Sequence, residues 1–519
     1  MENGNPEQPH FDPTQVHVEG HHLRAWEEEK SFQDQIGEVL AKSPYFAISI
    51  IIHVLGGLIL FLMSTAPVEK AEKPQLNSQI QQQEDTPEEE PEEPPEEITP
   101  EEEPDPVIQD AEISDHNEED TQDDFSEVEG DDQNADSQFD SNQLNDVVGI
   151  GGGAGGKFGG RRGGRRNLRT RGGRKVADAI KWGLEWLKNH QDEDGHWSTD
   201  EFMKHCPSGD VCDGPGNLVN DVGITGLALL AFLGDGSTMR SGPYKRVIKK
   251  GINWIRQQMG DDGLIGTENG RQFQYCHAIA SYALIEAYGL SHYRTLRPYA
   301  QKAVNYIQTA RNEYGVWRYY PRDGNNDSSV TGWMIMALKS AKDFKLKVDK
   351  KAFDFATAWY DNVTDPNTGQ CGYQKRGQGS AREAGQEDKF PASKTEAMTA
   401  VGLFARFWLG QEPDKNSIML AAADTMLKKP PVWNTADGSI DIYYWYYGSY
   451  GMFQIGGRKW DKWKKAMEKA FLPSQIKKGH AKGSWDPISA WGESGGRVYT
   501  TALGILSLEV YYRYSRLVR

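Results

Sequence analysis

The chain has 519 residues, a formal net charge of −18 and four cysteines. Its length exceeds what one simple core holds, and four cysteines exclude a disulfide-dense scaffold. The acidity is local, because Glu84 to Asp146 contains 28 Asp or Glu and no Lys or Arg, leaving +10 on the rest.

Residues 1–43 form a polar tail that lacks the apolar core and cleavage site of a secretory signal. Residues 44–66 are read as a transmembrane helix. Tyr45 to Ala66 contains no Asp, Glu, Lys or Arg, and as a helix it spans roughly 33 Å, enough to cross a bilayer. Arg24, Lys30 and Lys42 precede it, and Lys70 and Lys73 follow. This slight bias favours a single pass with a cytoplasmic N-terminus and the C-terminal domain outside the cytoplasm. Residues 67–147 are rich in Glu, Asp, Pro and Gln and too poor in apolar residues to offset chain ordering, so they read as a disordered acidic linker. Residues 148–175 are rich in Gly and Arg and read as a flexible basic hinge. Nucleic-acid binding is an alternative for this stretch, but it lacks interleaved aromatics apart from Phe158.

Residues 176–519 read as six helix pairs. The first helix of each pair covers roughly 176–191, 244–258, 296–310, 350–363, 416–429 and 458–472. The second covers 221–234, 273–289, 328–342, 393–409, 441–454 and 497–514. The first set is amphipathic, with Ile180, Leu184 and Leu187 on one stripe. The second set is apolar on every side, as in Val222 to Leu233, which predicts burial. Six such pairs predict an all-α fold, an α/α toroid of six hairpins.

A phrase recurs after the first helices. Its clearest copy has Trp186-Leu187, then Gln191, Gly195 and Trp197; others end at Gly263, at Gly315-Val-Trp317 and at Gly483-Ser-Trp485. In the fourth pair Cys371-Gly-Tyr373 takes the slot, with Tyr373 in place of the Trp. This phrase resembles the QW repeat of squalene and terpenoid cyclases. The same toroid serves prenyltransferase β-subunits, complement-type thioester domains and some polysaccharide lyases. The resemblance implies a structural role: the Gln amide bonds backbone groups at the end of the outer helix, and the Trp ties the turn to the inner helix. In the membrane segment, Ser49-Ile-Ile-Ile-His53 followed by a Pro/Glu-rich stretch resembles TonB-type transducers. That likeness implies a membrane partner of the ExbB/ExbD proton-channel kind, contacted through Ser49 and His53.

Cyclases of class II protonate their substrate with an Asp-x-Asp-Asp cluster. Here the corresponding helix start reads Asn326-Asp327-Ser328-Ser329, with one Asp left. That departure favours a membrane-tethered ligand-binding or scaffold module. The alternative is a toroid enzyme, either terpenoid cyclase- or transferase-like or lyase-like. Residues expected where inner helices begin are the candidates: Asp327, Glu396, Arg497 and Tyr499 for catalysis, and Asp221, Tyr275, His277, Trp333, Lys394, Tyr443 and Tyr447 for a lipid or polysaccharide ligand. Cys206 and Cys212 are candidates for a disulfide, with free thiols or two zinc ligands as the other readings. No cofactor and no metal site is assigned.

Overall fold

The computed structural model describes residue 161 and residues 163–514. The expected span at 44–66, with Ser49 and His53, and the linker at 67–147 lie outside the described residues. Among the described residues no helix is long and apolar enough to cross a membrane.

A short helix, α1 (Gly164–Thr170), precedes twelve helices that alternate in position. The outer set is α2 (Arg174–Asn189), α4 (Lys245–Gln257), α6 (Arg297–Ala310), α8 (Lys350–Val363), α10 (Ser417–Met426) and α12 (Gly457–Ser474). The inner set is α3 (Asp221–Gly234), α5 (Phe273–Ser291), α7 (Ser328–Asp343), α9 (Ala397–Trp408), α11 (Ile442–Ile455) and α13 (Gly492–Leu508). Each inner helix packs on the next, and α13 packs back on α3, so the ring closes. The α/α toroid is therefore the fold.

The two sets differ as their patterns require. In α4, Val247, Ile248, Ile252 and Ile255 are buried while Lys245, Arg246, Lys249 and Lys250 are exposed, a one-sided stripe. In α3 every residue from Gly223 to Gly234 is buried, because neighbours cover it on all sides. Asp327, Asp349, Asn416 and Asp441 cap α7, α8, α10 and α11 by accepting a first-turn N–H.

The recurrent phrase stitches three elements at once. The indole N–H of Trp197 donates to Leu187 O at 2.7 Å, that of Trp317 to Ile307 O at 2.7 Å, and that of Trp485 to Phe471 O at 2.9 Å. Each bond satisfies a carbonyl at the end of the preceding outer helix. The backbone N–H two residues after the glycine donates to a side chain in the next inner helix. The acceptors are Thr225, Thr331, Thr399 and Thr501 Oγ1. In the second hairpin His277 Nδ1 takes this place, accepting from Ile265 N–H at 3.0 Å. The glutamines reach a third element, the neighbouring outer helix. Gln191 Nε2 donates to Gly195 O and Val247 O, and Gln475 Nε2 to Gly483 O and Ala179 O. Gln475 thus closes the outer ring onto α2. Glycine is required at the tightest of these approaches: a Cβ on Gly483 (φ 97°) would lie 2.1 Å from Trp182 O.

The fourth hairpin differs from its expected register. The amide that meets Thr399 is that of Cys371, and Gly369 approaches the Ala422 backbone of α10. Cys371 therefore fills the Trp slot, and Tyr373 is left for another use.

Inner helices all run the same way, so their starts meet at one end of the ring, the mouth, and their ends at the other, the foot. Part of the stretch expected to be a flexible basic hinge is built into the foot. Arg161 is buried and holds Glu286 with two bonds, at 2.9 and 3.0 Å. Arg513 meets the same carboxylate at 2.9 Å and Glu509 at 3.2 Å. Arg165, just outside, grips Asp235 at 2.7 and 3.0 Å. Burial alone would raise the Glu286 carboxyl, but Arg161 and Arg513 overrule it and hold it below the usual range. Glu509 is pushed well up by its burial.

Candidate functional site

The starts of the inner helices surround a cavity of about 500 Å³. Its depth is apolar: Ile224 and Leu227 of α3, Ile279 of α5 and Trp333 of α7 lie a turn or more inside their helices. Its mouth is polar, with Asn220, Arg271, Gln272, Arg382, Glu383 and Ser494. Between them stands a belt of aromatic hydroxyls: Tyr275, Tyr319, Tyr373, Tyr443 and Tyr499. An apolar well under a polar belt is the usual build of a small-molecule pocket.

Four of the candidate residues, Tyr275, Trp333, Tyr443 and Tyr499, come together on this wall. Tyr443 OH meets Ser329 Oγ at 2.7 Å, which fixes its ring. The other candidates are placed elsewhere. His277 is the stitching residue described above; its Nε2 faces Ser281 Oγ at 3.2 Å, and burial lowers its pKa to about 3, so it stays neutral. Asp221 accepts from Thr199 N–H at 2.7 Å and binds that hydroxyl, tying down the first long loop. Glu396 is buried against Lys429 at 2.6 Å and Thr399 at 3.0 Å. Lys394 is exposed and outside the wall. Tyr447 packs in the core between Tyr443, Tyr446 and Trp333. Arg497 is buried, with Nη1 on Ser484 Oγ at 3.0 Å and Nη2 on Asp486 at 2.8 Å and on Asp213. Its fork locks the first long loop to the last hairpin, and it does not line the cavity.

Asp327 lies just behind the wall. Its Oδ1 caps α7 through Val330 N–H at 2.8 Å, and its Oδ2 accepts from Tyr373 OH at 3.1 Å. Tyr373 OH in turn meets Tyr319 OH at 2.5 Å. Burial raises the Asp327 carboxyl to about 7, against the pull of Val330 N–H, Tyr373 and the Arg318 guanidinium 3.7 Å away. A carboxyl that titrates near neutrality is thus connected through two phenols to the cavity.

Arg382 and Glu383 were not candidates on sequence. Arg382 reaches Asp441 at 3.1 Å, while Glu383 is half-buried on the cavity wall. Both sit in the long segment between Tyr373 and Ala397. Its length alone is a signal, since loops longer than about 12–15 residues in compact domains are usually functional or disordered.

A second cluster lies outside the cavity. His190, Cys206, Cys212 and His480 present four ligand atoms that all lie within 4.8 Å of one another. Cys206 and Cys212 are unbridged thiols. Both sulfurs face the His190 ring, at 3.5 and 3.6 Å from Nε2, which makes the four side chains a set of donors suited to a metal.

No protein-family model matches this chain, and no curated protein is significantly similar to it. Among solved structures it is similar to an α-1,6-mannanase from Salegentibacter, at 12% identity over 64% of this chain and 98% of that one, TM-score 0.45. It is similar to a cellobiose 2-epimerase from Bacillus thermoamylovorans, at 13% identity over 65% and 98%, TM-score 0.44. It is also similar to a type II terpene cyclase from Scytonema, at 13% identity over 64% and 96%, TM-score 0.41. At these identities and TM-scores the likenesses assign no activity to this chain.

Proposed function

We propose that the toroid binds a small amphiphilic ligand, with a hydrocarbon or sugar-face body and a polar end, in the cavity at its mouth. One observation carries this reading: the well is apolar in depth and ringed at its rim by five tyrosines, Arg271 and Glu383. Apolar burial supplies affinity, and the few polar groups at the rim fix orientation. The helix expected at 44–66 would place the toroid outside the cytoplasm, on the far side of the acidic linker. Lipids and cell-envelope glycans are the ligand classes available there. A partner of the ExbB/ExbD kind, contacted through Ser49 and His53, belongs to the same proposal.

The test is native mass spectrometry of the full chain in detergent, comparing it with Ala381→Trp. Ala381 lines the cavity from a loop, so a large ring there fills the opening without disturbing the inner helices. Retention of a lipid or glycan by the parent and its loss from Ala381→Trp supports binding. Equal retention in both, or none in either, overturns it.

A second reading rests on Asp327. Its raised carboxyl and the Tyr373–Tyr319 chain form a proton path to the cavity, which suits general acid–base chemistry. This reading requires that a ligand retained by the parent be converted, and that Asp327→Asn retain it unconverted.

A further inference from the structure

We propose that His190, Cys206, Cys212 and His480 hold a tetrahedral zinc ion, and that this ion clasps the first hairpin of the ring to the last. The geometry points to it directly. Zinc bonds of about 2.3 Å to sulfur and about 2.0 Å to nitrogen, at tetrahedral angles, separate a sulfur and a nitrogen ligand by about 3.5 Å. The three recorded separations are 3.5 Å for Cys206 Sγ to His190 Nε2, 3.6 Å for Cys212 Sγ to His190 Nε2, and 3.8 Å for Cys212 Sγ to His480 Nδ1. Two thiolates and two neutral imidazoles form a donor set preferred by zinc, and they cancel its charge. Neutrality matters because His190 and Cys212 are buried.

The surroundings hold the donors in the required forms. His190 Nδ1 lies 2.7 Å from Trp186 O and can only donate to it. The Nε2 lone pair is thereby aimed at the two sulfurs, the usual second interaction of a metal-bound histidine. Trp186 stacks on the same ring, with centroids 4.1 Å apart, and fixes its plane. The Cys212 N–H donates to Cys206 Sγ at 3.3 Å, folding the loop back on itself.

The four ligands come from three places far apart in the chain. His190 ends α2, the two cysteines sit in the first long loop, and His480 belongs to the turn after α12. Nearby bonds already join these parts: Asp210 accepts from His480 N–H at 2.6 Å, and Arg497 binds Asp213 and Asp486. A metal there closes the ring where the first and last hairpins meet. It works with Gln475, which makes the same closure between outer helices. None of the four residues lines the cavity, so this inference is independent of the ligand proposal.

The experiment uses the full chain, purified in detergent without chelator and under mild reduction. Elemental analysis is expected to find about one zinc per chain, and Cys206→Ser with Cys212→Ser to lose it. Cobalt added to chelated protein is expected to give the intense visible bands and thiolate charge transfer of a tetrahedral sulfur–nitrogen site. Weak octahedral bands would overturn the coordination. His480→Gln leaves three ligands and tests the site without removing the thiols; it is expected to keep its helical signal but release zinc to a chelator more readily. Chelation of the parent is expected to speed proteolysis in the loop of residues 198–217, and unchanged proteolysis would overturn the clasp. A zinc-free folded chain, or a Cys206–Cys212 disulfide in peptides from unreduced protein, would overturn the site itself.

Discussion

The mouth and the foot of the ring are made by the same six inner helices, yet they treat polar groups in opposite ways. At the foot, Arg161, Arg165, Glu286 and Arg513 are paired off, and no opening remains around Glu286 or Arg513, both fully buried. At the mouth, tyrosine hydroxyls, Arg271 and Glu383 face a cavity. Helix direction explains part of the difference. Inner-helix C-termini converge at the foot, where their carbonyls and dipoles favour arginine. Leu230 O and Leu233 O, near the end of α3, do accept from Arg513 and Arg161. The contrast teaches that the interior of a toroid can be closed at one end by charge pairing while the other is left open for a ligand; a cavity of about 420 Å³ beside Arg165 and Asp235 lies outside that seal.

The largest effect should come from breaking the foot. Glu286→Gln leaves Arg161 and Arg513 without their shared carboxylate, and loss of a buried ion-pair partner typically costs about 3–5 kcal/mol. Urea unfolding followed by circular dichroism should show a loss of unfolding free energy of that size. The stitching comes next. Gln475→Ala removes two buried bonds across the ring junction and should cost about 1–3 kcal/mol by the same assay; Gln191→Ala, whose side chain is half-buried, should cost less. A third effect depends on pH. The folded Asp327 carboxyl titrates near 7, above its unfolded value of 3.8, so the folded state binds the extra proton between those values. Stability should therefore fall as pH rises from about 4 to about 7 through this group, and level off above. Asp327→Asn keeps a helix cap and should flatten that slope. The smallest stability effect belongs to the mouth. Tyr275→Phe should change stability by no more than about 0.5 kcal/mol, while weakening retention of the ligand. A large loss of stability from Tyr275→Phe would mean that the mouth is structural like the foot.

Much of the ring was legible in the sequence because its causes are local. Amphipathic and all-apolar patterns set twelve helices, and Trp197, Trp317 and Trp485 mark turns whose indole bonds reach back only to the preceding outer helix. What escaped depends on distance along the chain. His190 and His480 are 290 positions apart, so the sequence offered only Cys206 and Cys212, whose spacing alone suits a disulfide as well as a metal. Arg161 sits in a Gly/Arg run that reads as a hinge, and only its partners Glu286 and Arg513 make it a plug. His277 and Arg497 are polar residues near inner-helix starts, as ligand-binding residues would be, but backbone amides and loop carboxylates claim them first. Cys371 took the Trp slot two residues before the expected Tyr373, a shift that only the Thr399 bond reveals. At the mouth, Tyr443 stands on the cavity wall, whereas Tyr447, one turn on, packs against Tyr443, Tyr446 and Trp333.

The central claim is that the mouth cavity holds a ligand and the foot does not. The most direct measurement is native mass spectrometry of the full chain beside its Ala381→Trp and Arg165→Ala variants. Arg165 serves as the comparison because it lies at the foot, on Asp235, where it lines the second cavity of about 420 Å³. The account predicts a bound lipid or glycan in the parent and in Arg165→Ala, and none in Ala381→Trp. A ligand lost only from Arg165→Ala, or retained by Ala381→Trp, would contradict it.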